Sequence, residues 1–230
     1  MKRSWTDISE LRKRWGDSLL TVLTALIMIM MFVIAPLQAL GLFEFQIFEL
    51  LLALFLVGGV FLMSGSAIAV AAMLVALAMI VTGGVLRLRS PSIIDLNLFA
   101  GSWLIVGITL AVTVARATFA PGRVTYHRVI GAVLLYLSVA VIFSALYTFI
   151  GTLLPNAFSG MKMEDSPALA NQMIYFSFMT LTTTGYGDVA PLHPIARSLC
   201  NLEAIFGQLY PATLLARLVT LEITHSDQDS

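Results

Sequence analysis

The chain has 230 residues, of which 59% are hydrophobic and 11% are charged, whereas soluble domains carry about 25% charged residues. This composition is typical of a membrane protein. The 13 basic and 13 acidic residues give zero net charge, so there is no overall basic field that would attract nucleic acid. The lone Cys200 excludes an internal disulfide and a cysteine-based metal site.

Apolar runs long enough to cross a bilayer, about 20 residues each, recur along the chain. From Ser18 to Leu86 the only formal charges are Glu44 and Glu49. Pro36 is expected to kink or end the first run. Glu49 and Asp95 are expected to lie in solvated or interfacial positions near span ends. We therefore predict an all-α membrane protein with six transmembrane helices, at residues 18–40, 45–63, 66–86, 93–115, 129–154 and 195–221.

Two shorter features stand between the fifth and sixth predicted spans. Residues 155–167 are polar and contain Lys162, Glu164 and Asp165, and residues 168–182 are apolar again. The apolar run is too short to cross a bilayer, which takes about 20 residues. A run of this length is tolerated at membrane depth where protein or a water-filled cavity satisfies its exposed end. We therefore predict a re-entrant helix here.

The positions of lysine and arginine predict the orientation of the spans, because cytoplasmic loops carry an excess of both. With six spans and a cytoplasmic N-terminus, the inside receives nine of the 13 basic residues. The outside receives Arg87, Arg89, Lys162 and Arg197, and the first two oppose the assignment locally. The basic N-terminal stretch precedes a long apolar run without an evident cleavage site, which predicts a retained anchor. We expect a multi-pass protein of the inner (plasma) membrane with both termini in the cytoplasm.

The segment Thr182–Asp188 reads Thr-Thr-Thr-Gly-Tyr-Gly-Asp and lies directly between the re-entrant run and the last span. A cation that leaves water needs oxygen ligands, and successive backbone carbonyls aimed to one side supply a dense array of them. Such an array needs alternating backbone conformations that glycine adopts without steric cost, and Gly185 and Gly187 have the required spacing. Tyr186 can brace the loop, and the Thr183 hydroxyl can add one further oxygen. The segment predicts a cation-binding loop.

This segment resembles the selectivity filter of the potassium-channel family, whose loops read Thr-Val-Gly-Tyr-Gly. The resemblance covers residues 129–221 as outer helix, turret, pore helix, filter and inner helix, and it is greatest to small prokaryotic channels with a two-helix pore. Thr184 stands where the family usually has valine or isoleucine, at a position that contributes its carbonyl, so little loss of selectivity is implied. Four copies of the chain are implied, because one filter strand cannot surround an ion. The residues that the resemblance assigns to the filter are Thr183, Thr184, Gly185, Tyr186 and Gly187, with K⁺ at the carbonyls of the first four.

The same resemblance assigns supporting roles to residues outside the filter. Tyr175 in the pore helix is expected to donate a hydrogen bond to Asp188 behind the filter, and simple packing between helices is the alternative. Gly207 matches the family's hinge glycine, and Pro211 lacks the amide that would bond the Gly207 carbonyl. A bend at this turn of the inner helix would open or close the inner mouth of the pore, and a static kink is the alternative.

Two polar residues of the last span have no assigned partner in the sequence. Glu203 is predicted to have a functional role, because burying an ionisable group without a partner in a membrane span is costly. It either braces the pore helix from behind or faces the pore as a ring that attracts cations, and the sequence leaves both alternatives open. Gln208, next to the predicted hinge, is expected to face the water-filled cavity.

These features divide the chain into five predicted segments. The fourth span has no basic residue from Ile93 to Ala115, so ordinary arginine-based voltage sensing, which needs charges that move in the field, is not expected. The predicted function is a homotetrameric potassium-selective channel, with a weakly selective monovalent cation channel as the alternative. The segments are a cytoplasmic N-terminal segment (1–17), a peripheral four-helix bundle (18–115), a cytoplasmic linker (116–128), the pore domain (129–221) and a short cytoplasmic tail (222–230).

Other functional classes fit the sequence less well. A secondary transporter would usually show duplicated halves with interrupted helices, and no internal repeat is visible. An enzyme would need an acid and base pair or metal-ligand spacing, which the scattered Glu49, Asp95 and Glu203 do not provide. We expect no enzymatic activity and no cofactor, with K⁺, membrane lipid and further copies of this chain as partners. The gating stimulus and the role of the first four helices stay open.

Overall fold

A computed structural model describes residues 19–41, 45–64, 66–89, 92–119, 126–164 and 166–226. The predicted N-terminal segment 1–17, residues 120–125 of the predicted linker and residues 227–230 of the predicted tail lie outside the described residues. The side chains of residues 45–50, 62–64, 167 and 217–226 also lie outside them. Glu49 is in the first of these ranges, so the prediction for its side chain lies outside the described residues.

Seven helices and one short pair of strands make up the regular structure of the described residues. The helices are α1 (Leu19–Ala39), α2 (Phe45–Ser64), α3 (Ala67–Arg89), α4 (Ile93–Thr118), α5 (Tyr126–Leu153), α6 (Pro167–Leu181) and α7 (Pro194–Ser226). The strands β1 (Phe158–Ser159) and β2 (Ala190–Pro191) are antiparallel, with Phe158 opposite Pro191. Each predicted apolar run therefore lies in a helix, and the largest difference in bounds is at α7, which continues to Ser226.

Four of the described helices, α1, α3, α4 and α5, are long and apolar enough to cross a membrane. The α2 helix contributes a shorter apolar stretch, Leu51–Phe61. A helix satisfies its own backbone hydrogen bonds, which is the condition for crossing hydrocarbon. The chain is therefore a mostly helical, multi-pass membrane protein.

The first helix does not end at Pro36. It passes through a π-helical turn, Met30–Ile34, in which the Ala35 amide donates to the Met30 carbonyl, and then continues in α-helical form to Ala39. Proline lacks an amide hydrogen and its ring clashes with the carbonyl four residues earlier. The wider π turn directly before Pro36 moves that carbonyl, so the helix continues past the proline.

The expectation that Asp95 is solvated or interfacial is wrong, since its side chain is fully buried. Asp95 and Ser92 form a capping box at the start of α4: the Ser92 amide and the Ser92 hydroxyl each donate to Asp95 Oδ1 at 2.6 Å. A carboxylate near a helix N-terminus is also stabilised by the helix dipole. The cap supplies donors to Oδ1, whereas Oδ2 is buried without a hydrogen-bond partner among the described residues.

Close helix contacts join the first four helices to the segment predicted as the pore domain. Gly107 of α4 lies so near α5 that an added Cβ would be 2.8 Å from Ile142 Cγ1, a close approach that small residues permit. Phe32 in the π-helical turn of α1 contacts Phe178 of α6, with ring centroids 5.2 Å apart. The α1 helix therefore contacts α6 directly rather than only its neighbours in the predicted peripheral bundle.

Candidate functional site

The candidate site is the loop 182–188, which follows α6 and folds back onto its last turn. Proline in the first turn of α6 is compatible with the helix start, because the first amides of a helix have no intrahelical acceptor. At the other end, the Thr183 amide donates to the Thr180 carbonyl at 2.9 Å and the Gly185 amide donates to the Met179 carbonyl at 3.1 Å. These bonds anchor the first half of the loop to the C-terminal end of α6.

The backbone of the loop alternates between left-handed and ordinary conformations. The φ angle is +57° at Thr183, +56° at Gly185 and +79° at Gly187. Thr184 and Tyr186, which lie between them, are not among the described residues with positive φ. The positive φ angles at Gly185 and Gly187 agree with the alternating backbone that was predicted from the spacing of these two glycines.

Thr183 is the member of this series that the sequence did not single out for its backbone. A β-branched residue at positive φ is an outlier, and such strain costs about 1–3 kcal/mol and persists where the surrounding structure imposes it. The Thr183 hydroxyl accepts a hydrogen bond from Gln208 Nε2 of α7 at 2.9 Å. Gln208 is therefore in contact with the start of the loop.

Thr184, the departure from the family pattern, pairs its hydroxyl with a neighbouring threonine. The Thr182 and Thr184 hydroxyl oxygens are 2.8 Å apart, and the Thr182 hydroxyl lies 2.6 Å from the Phe178 carbonyl. Since Thr182 can donate to Phe178, the Thr184 hydroxyl can donate to Thr182. Its polar atom has a partner on the α6 side of the loop.

The end of the loop at Asp188 is held by two contacts. Tyr175 of α6 donates a hydrogen bond to Asp188 Oδ2 at 2.9 Å, so the bond expected from the resemblance is present. Gly160, next to β1, lies against the backbone so closely that an added Cβ would be 1.8 Å from the Asp188 carbonyl oxygen. Gly160 has φ of +81°, which also favours glycine there.

The start of the loop is held in a similar way. Gly207 of α7 lies against the end of α6, and an added Cβ would be 1.8 Å from the Leu181 carbonyl oxygen. The Tyr136 hydroxyl of α5 donates to the same carbonyl at 3.3 Å. Gly207 therefore has a close-packing function in this structure. The α7 helix is continuous through Gly207 and Pro211.

Glu203 is fully buried behind the loop, between α5, α6 and α7. The Tyr147 hydroxyl of α5 donates to Glu203 Oε2, and the Ser177 hydroxyl of α6 lies at hydrogen-bond distance from Glu203 Oε1, both at 2.5 Å. Tyr147 also packs edge-on against Phe176, with ring centroids 4.9 Å apart. Of the two alternatives for Glu203, the structure favours contact with the pore helix from behind.

Several of these contact residues had no motif in the sequence. Tyr147 and Ser177 lie within apolar runs, and Tyr136 and Gly160 lie outside the filter string. The one available signal was Glu203, because a carboxylate in an apolar span requires donors from other helices. That requirement indicates that donors exist but does not identify them.

Comparison with known proteins agrees with this geometry. Residues 131–223 match a family described as ion channel. The chain is 33% identical over 75 residues to the inward rectifier potassium channel Kirbac3.1 of Paramagnetospirillum magnetotacticum, covering 33% of this chain and 23% of that protein. It is 37% identical over 65 residues to Protein LctB of Bacillus caldotenax, covering 28% of this chain and 45% of that protein. The matches thus span less than half of either relative, and no solved structure matches.

The fold and these matches define the class of the protein. It is a multi-pass membrane protein whose residues 131–223 match a family described as ion channel. The loop with alternating backbone conformations and its supporting contacts at Tyr175, Glu203 and Gly207 all lie within the matched residues.

Proposed function

We propose that the protein is a potassium-selective channel in which the loop 182–188 is the selectivity filter. The observation that carries this proposal is the alternating backbone at Thr183, Gly185 and Gly187. In this conformation the carbonyls of Thr183, Thr184, Gly185 and Tyr186 replace the water around K⁺. The match to a protein named as a potassium channel supports K⁺ as the permeant ion.

A complete filter in this proposal requires four copies of the chain. One loop provides one wall of the ion path, and the K⁺ filter is built from four loops. All residues of the loop 182–188 are exposed in the single chain, as are the apolar residues Leu202, Ile205 and Leu209 of α7. A closed, rotationally symmetric tetramer places the four loops around one axis.

The proposed membrane arrangement has six spans and one re-entrant helix. At about 1.5 Å per residue, α6 is shorter than the hydrocarbon core of about 30 Å, so it enters the membrane without crossing it. Its C-terminal end, the negative end of the helix dipole, leads into the loop and favours a cation there. In this arrangement residues 18–115 contribute four spans, residues 129–221 form the pore domain, and both termini are cytoplasmic at the plasma membrane.

The gating proposals follow from α4 and α7. The charged residues of α4 are Asp95 and Arg116, at its two ends, so few charges would move across the field and ordinary voltage sensing is not proposed. Gly207 and Pro211 form the proposed hinge of α7. Because Gly207 also contacts the Leu181 carbonyl, a bend at the hinge would change the support of the filter as well as the width of the inner mouth.

The second candidate function is a weakly selective monovalent cation channel. The observation that favours it is Thr184, whose hydroxyl replaces the valine or isoleucine usual in the resembling family. A polar side chain behind the filter changes the support of the carbonyls. The pairing of this hydroxyl with Thr182 supports the potassium-selective alternative, because the Thr184 hydroxyl then has a partner within the chain.

Reversal potentials of the purified, reconstituted chain separate these functions. Liposomes with K⁺ on one side and Na⁺ on the other should give a reversal potential near the potassium equilibrium potential. A clear current that reverses near zero would support the weakly selective channel. Gly185→Ala is the matched negative control, because it places a side chain at positive φ in open space and should abolish the current through backbone strain alone.

A further inference from the structure

A partly open cavity of about 90 Å³ lies between α1, α4, α5 and the N-terminal half of α6. Its wall includes Met31 of α1, Trp103 of α4, Ala145 of α5 and Met173 of α6. The cavity therefore lies where the first helices meet the proposed pore helix. The proposed function assigns nothing to it.

The polar feature of this cavity is Gln38 of α1. Gln38 lines the cavity and is 2% exposed, and its Nε2 atom has no hydrogen-bond partner among the described residues. A buried amide donor without an acceptor is unfavourable and usually indicates an unseen partner. The unsatisfied donor and the empty volume lie in the same place.

The other polar groups of the wall are largely occupied. The Ser144 hydroxyl donates to the Val141 carbonyl at 2.9 Å, and the Thr148 hydroxyl donates to the Ser144 carbonyl at 2.9 Å. Arg87, which also lines the cavity, takes part in an interaction of its own. Ser166 and Asn171, which are partly exposed, complete the polar part of the wall. An occupant therefore meets the buried, unsatisfied donor of Gln38 and otherwise mainly apolar surface.

The volume and the lining together restrict the occupant. A water molecule needs two to four polar partners, and the mainly apolar wall offers too few of them for a group of waters that fills the cavity. A small molecule with one oxygen and a short apolar body satisfies Gln38 and fills the remaining space. Arg87, the charged residue of the wall, already takes part in an interaction, so a charged molecule would lose its hydration and would have to compete for that guanidinium.

We propose that this cavity binds a neutral amphiphile whose oxygen accepts a hydrogen bond from Gln38 Nε2. The apolar body of the ligand contacts Met31, Trp103 and Met173. The occupied cavity holds α1 against α6, the helix that leads into the loop 182–188. The oxygen belongs either to a free short-chain alcohol or to the ester group of a membrane lipid.

Trp103 allows binding to be measured without any ion current. The chain has three tryptophans, and the background substitutions Trp5→Phe and Trp15→Phe leave Trp103 as the reporter in the cavity wall. The probe is 3-bromo-1-propanol added to the protein in lipid-free detergent micelles, because bromine quenches tryptophan fluorescence on contact. Binding in the cavity predicts quenching that saturates. The reference probe is 1-bromopropane, which has the bromine and the apolar body but lacks the oxygen.

Two variants and a control test the site. Gln38→Leu keeps the approximate volume but removes the donor, and half-saturation by 3-bromo-1-propanol should weaken about fivefold, as expected for one hydrogen bond. Ala100→Leu, in the cavity wall, should fill the volume and abolish saturable quenching. Val112→Leu, on the exposed face of the same helix, should leave it unchanged. Phosphatidylcholine added to the micelles should compete with the probe if a lipid ester is the native occupant, and leave it unaffected if a free alcohol is.

The proposal is overturned by quenching that rises linearly with probe concentration in every variant. It is equally overturned if Gln38→Leu binds the alcohol as well as the parent protein does. Equal half-saturation by 3-bromo-1-propanol and 1-bromopropane in the parent would exclude the hydrogen bond, and this comparison needs no substitution in the cavity. Because fluorescence alone is measured, these outcomes are independent of whether the protein conducts K⁺.

Discussion

Two polar clusters lie next to α6 and α7: the loop 182–188 and the network around Glu203. They differ in whether their polar groups are exposed or paired within the protein. In the loop 182–188 the residues are exposed and the backbone alternates at Thr183, Gly185 and Gly187, and the proposed function assigns the loop carbonyls to K⁺. In the Glu203 network, which consists of Glu203, Tyr147 and Ser177, every member is buried and both carboxylate oxygens have protein partners.

This difference in burial and pairing separates a supporting role from a proposed binding role on the same two helices, α6 and α7. A buried polar group away from water must be paired within the protein, and pairing makes the Glu203 network a rigid support. In the proposed filter, the loop carbonyls need no protein partner because they line a path that water and ions enter. Glu203 and Gly207 are four residues apart on one face of α7, whereas Gln208 is exposed and contacts the loop.

The largest expected effect comes from removing the centre of the Glu203 network. Glu203→Leu should destabilise the protein by about 3 kcal/mol, because the buried Tyr147 hydroxyl loses its acceptor and the Ser177 hydroxyl keeps only the Ala140 carbonyl. Thermal unfolding of the detergent-solubilised protein, followed by circular dichroism, measures this loss. Glu203→Gln is the matched control, since its amide oxygen can still accept one hydrogen bond, and it should lose about 1 kcal/mol. Equal stability of the leucine variant and the parent would show that the network is not a support.

The next largest effect is expected at the contact between α7 and the end of α6. Gly207→Ala places a Cβ against the Leu181 carbonyl, and such overpacking costs about 2 kcal/mol. K⁺ flux into liposomes should fall together with stability, because Leu181 directly precedes the filter loop.

A glycine in open space provides the control for Gly207→Ala. An added Cβ at Gly84 of α3 meets nothing within 4 Å, so Gly84→Ala should keep full flux and gain up to about 1 kcal/mol from helix propensity. If Gly207→Ala were as stable and active as Gly84→Ala, the close contact at Leu181 would have no importance.

A smaller effect is expected at the outer end of the loop. Tyr175→Phe removes the hydrogen bond to Asp188 Oδ2 and keeps the aromatic ring. Steady-state K⁺ flux should fall severalfold while thermal stability changes little, because the bond is at an exposed end of the structure. Tyr126→Phe, at a 74% exposed tyrosine at the start of α5, is the control and should leave flux unchanged. Unchanged flux in both variants would mean that ring packing is the relevant function of Tyr175.

The smallest effect is expected at Thr184. Thr184→Val replaces the hydroxyl with a methyl group and removes the contact with Thr182, while the backbone carbonyl of residue 184 remains. The reversal potential between K⁺ and Na⁺ should therefore stay the same as in the parent. A clear shift towards the potassium equilibrium potential in the valine variant would show that the threonine weakens selectivity, and would favour the second candidate function.

Chain order and local composition were sufficient to predict the positions of the helices and the backbone conformation at the two glycines of the loop. Apolar runs predicted where the helices lie to within a few residues, because a backbone in hydrocarbon must satisfy its own hydrogen bonds. The two glycines predicted the positive φ angles at positions 185 and 187, since that conformation strongly favours glycine. The Tyr175–Asp188 bond was predicted through a family resemblance, and both partners are close in the chain.

Contacts between distant parts of the chain were decided by the tertiary structure. The π-helical turn before Pro36, the burial of Asp95 and the packing of Phe32 on Phe178 depend on which helix faces which. Glu203 could be assigned to neither alternative until Tyr147 and Ser177 were in place beside it. Helical periodicity determines which residues share a face, but packing determines what that face meets, and this is why the supports of the filter loop were not predictable from the sequence.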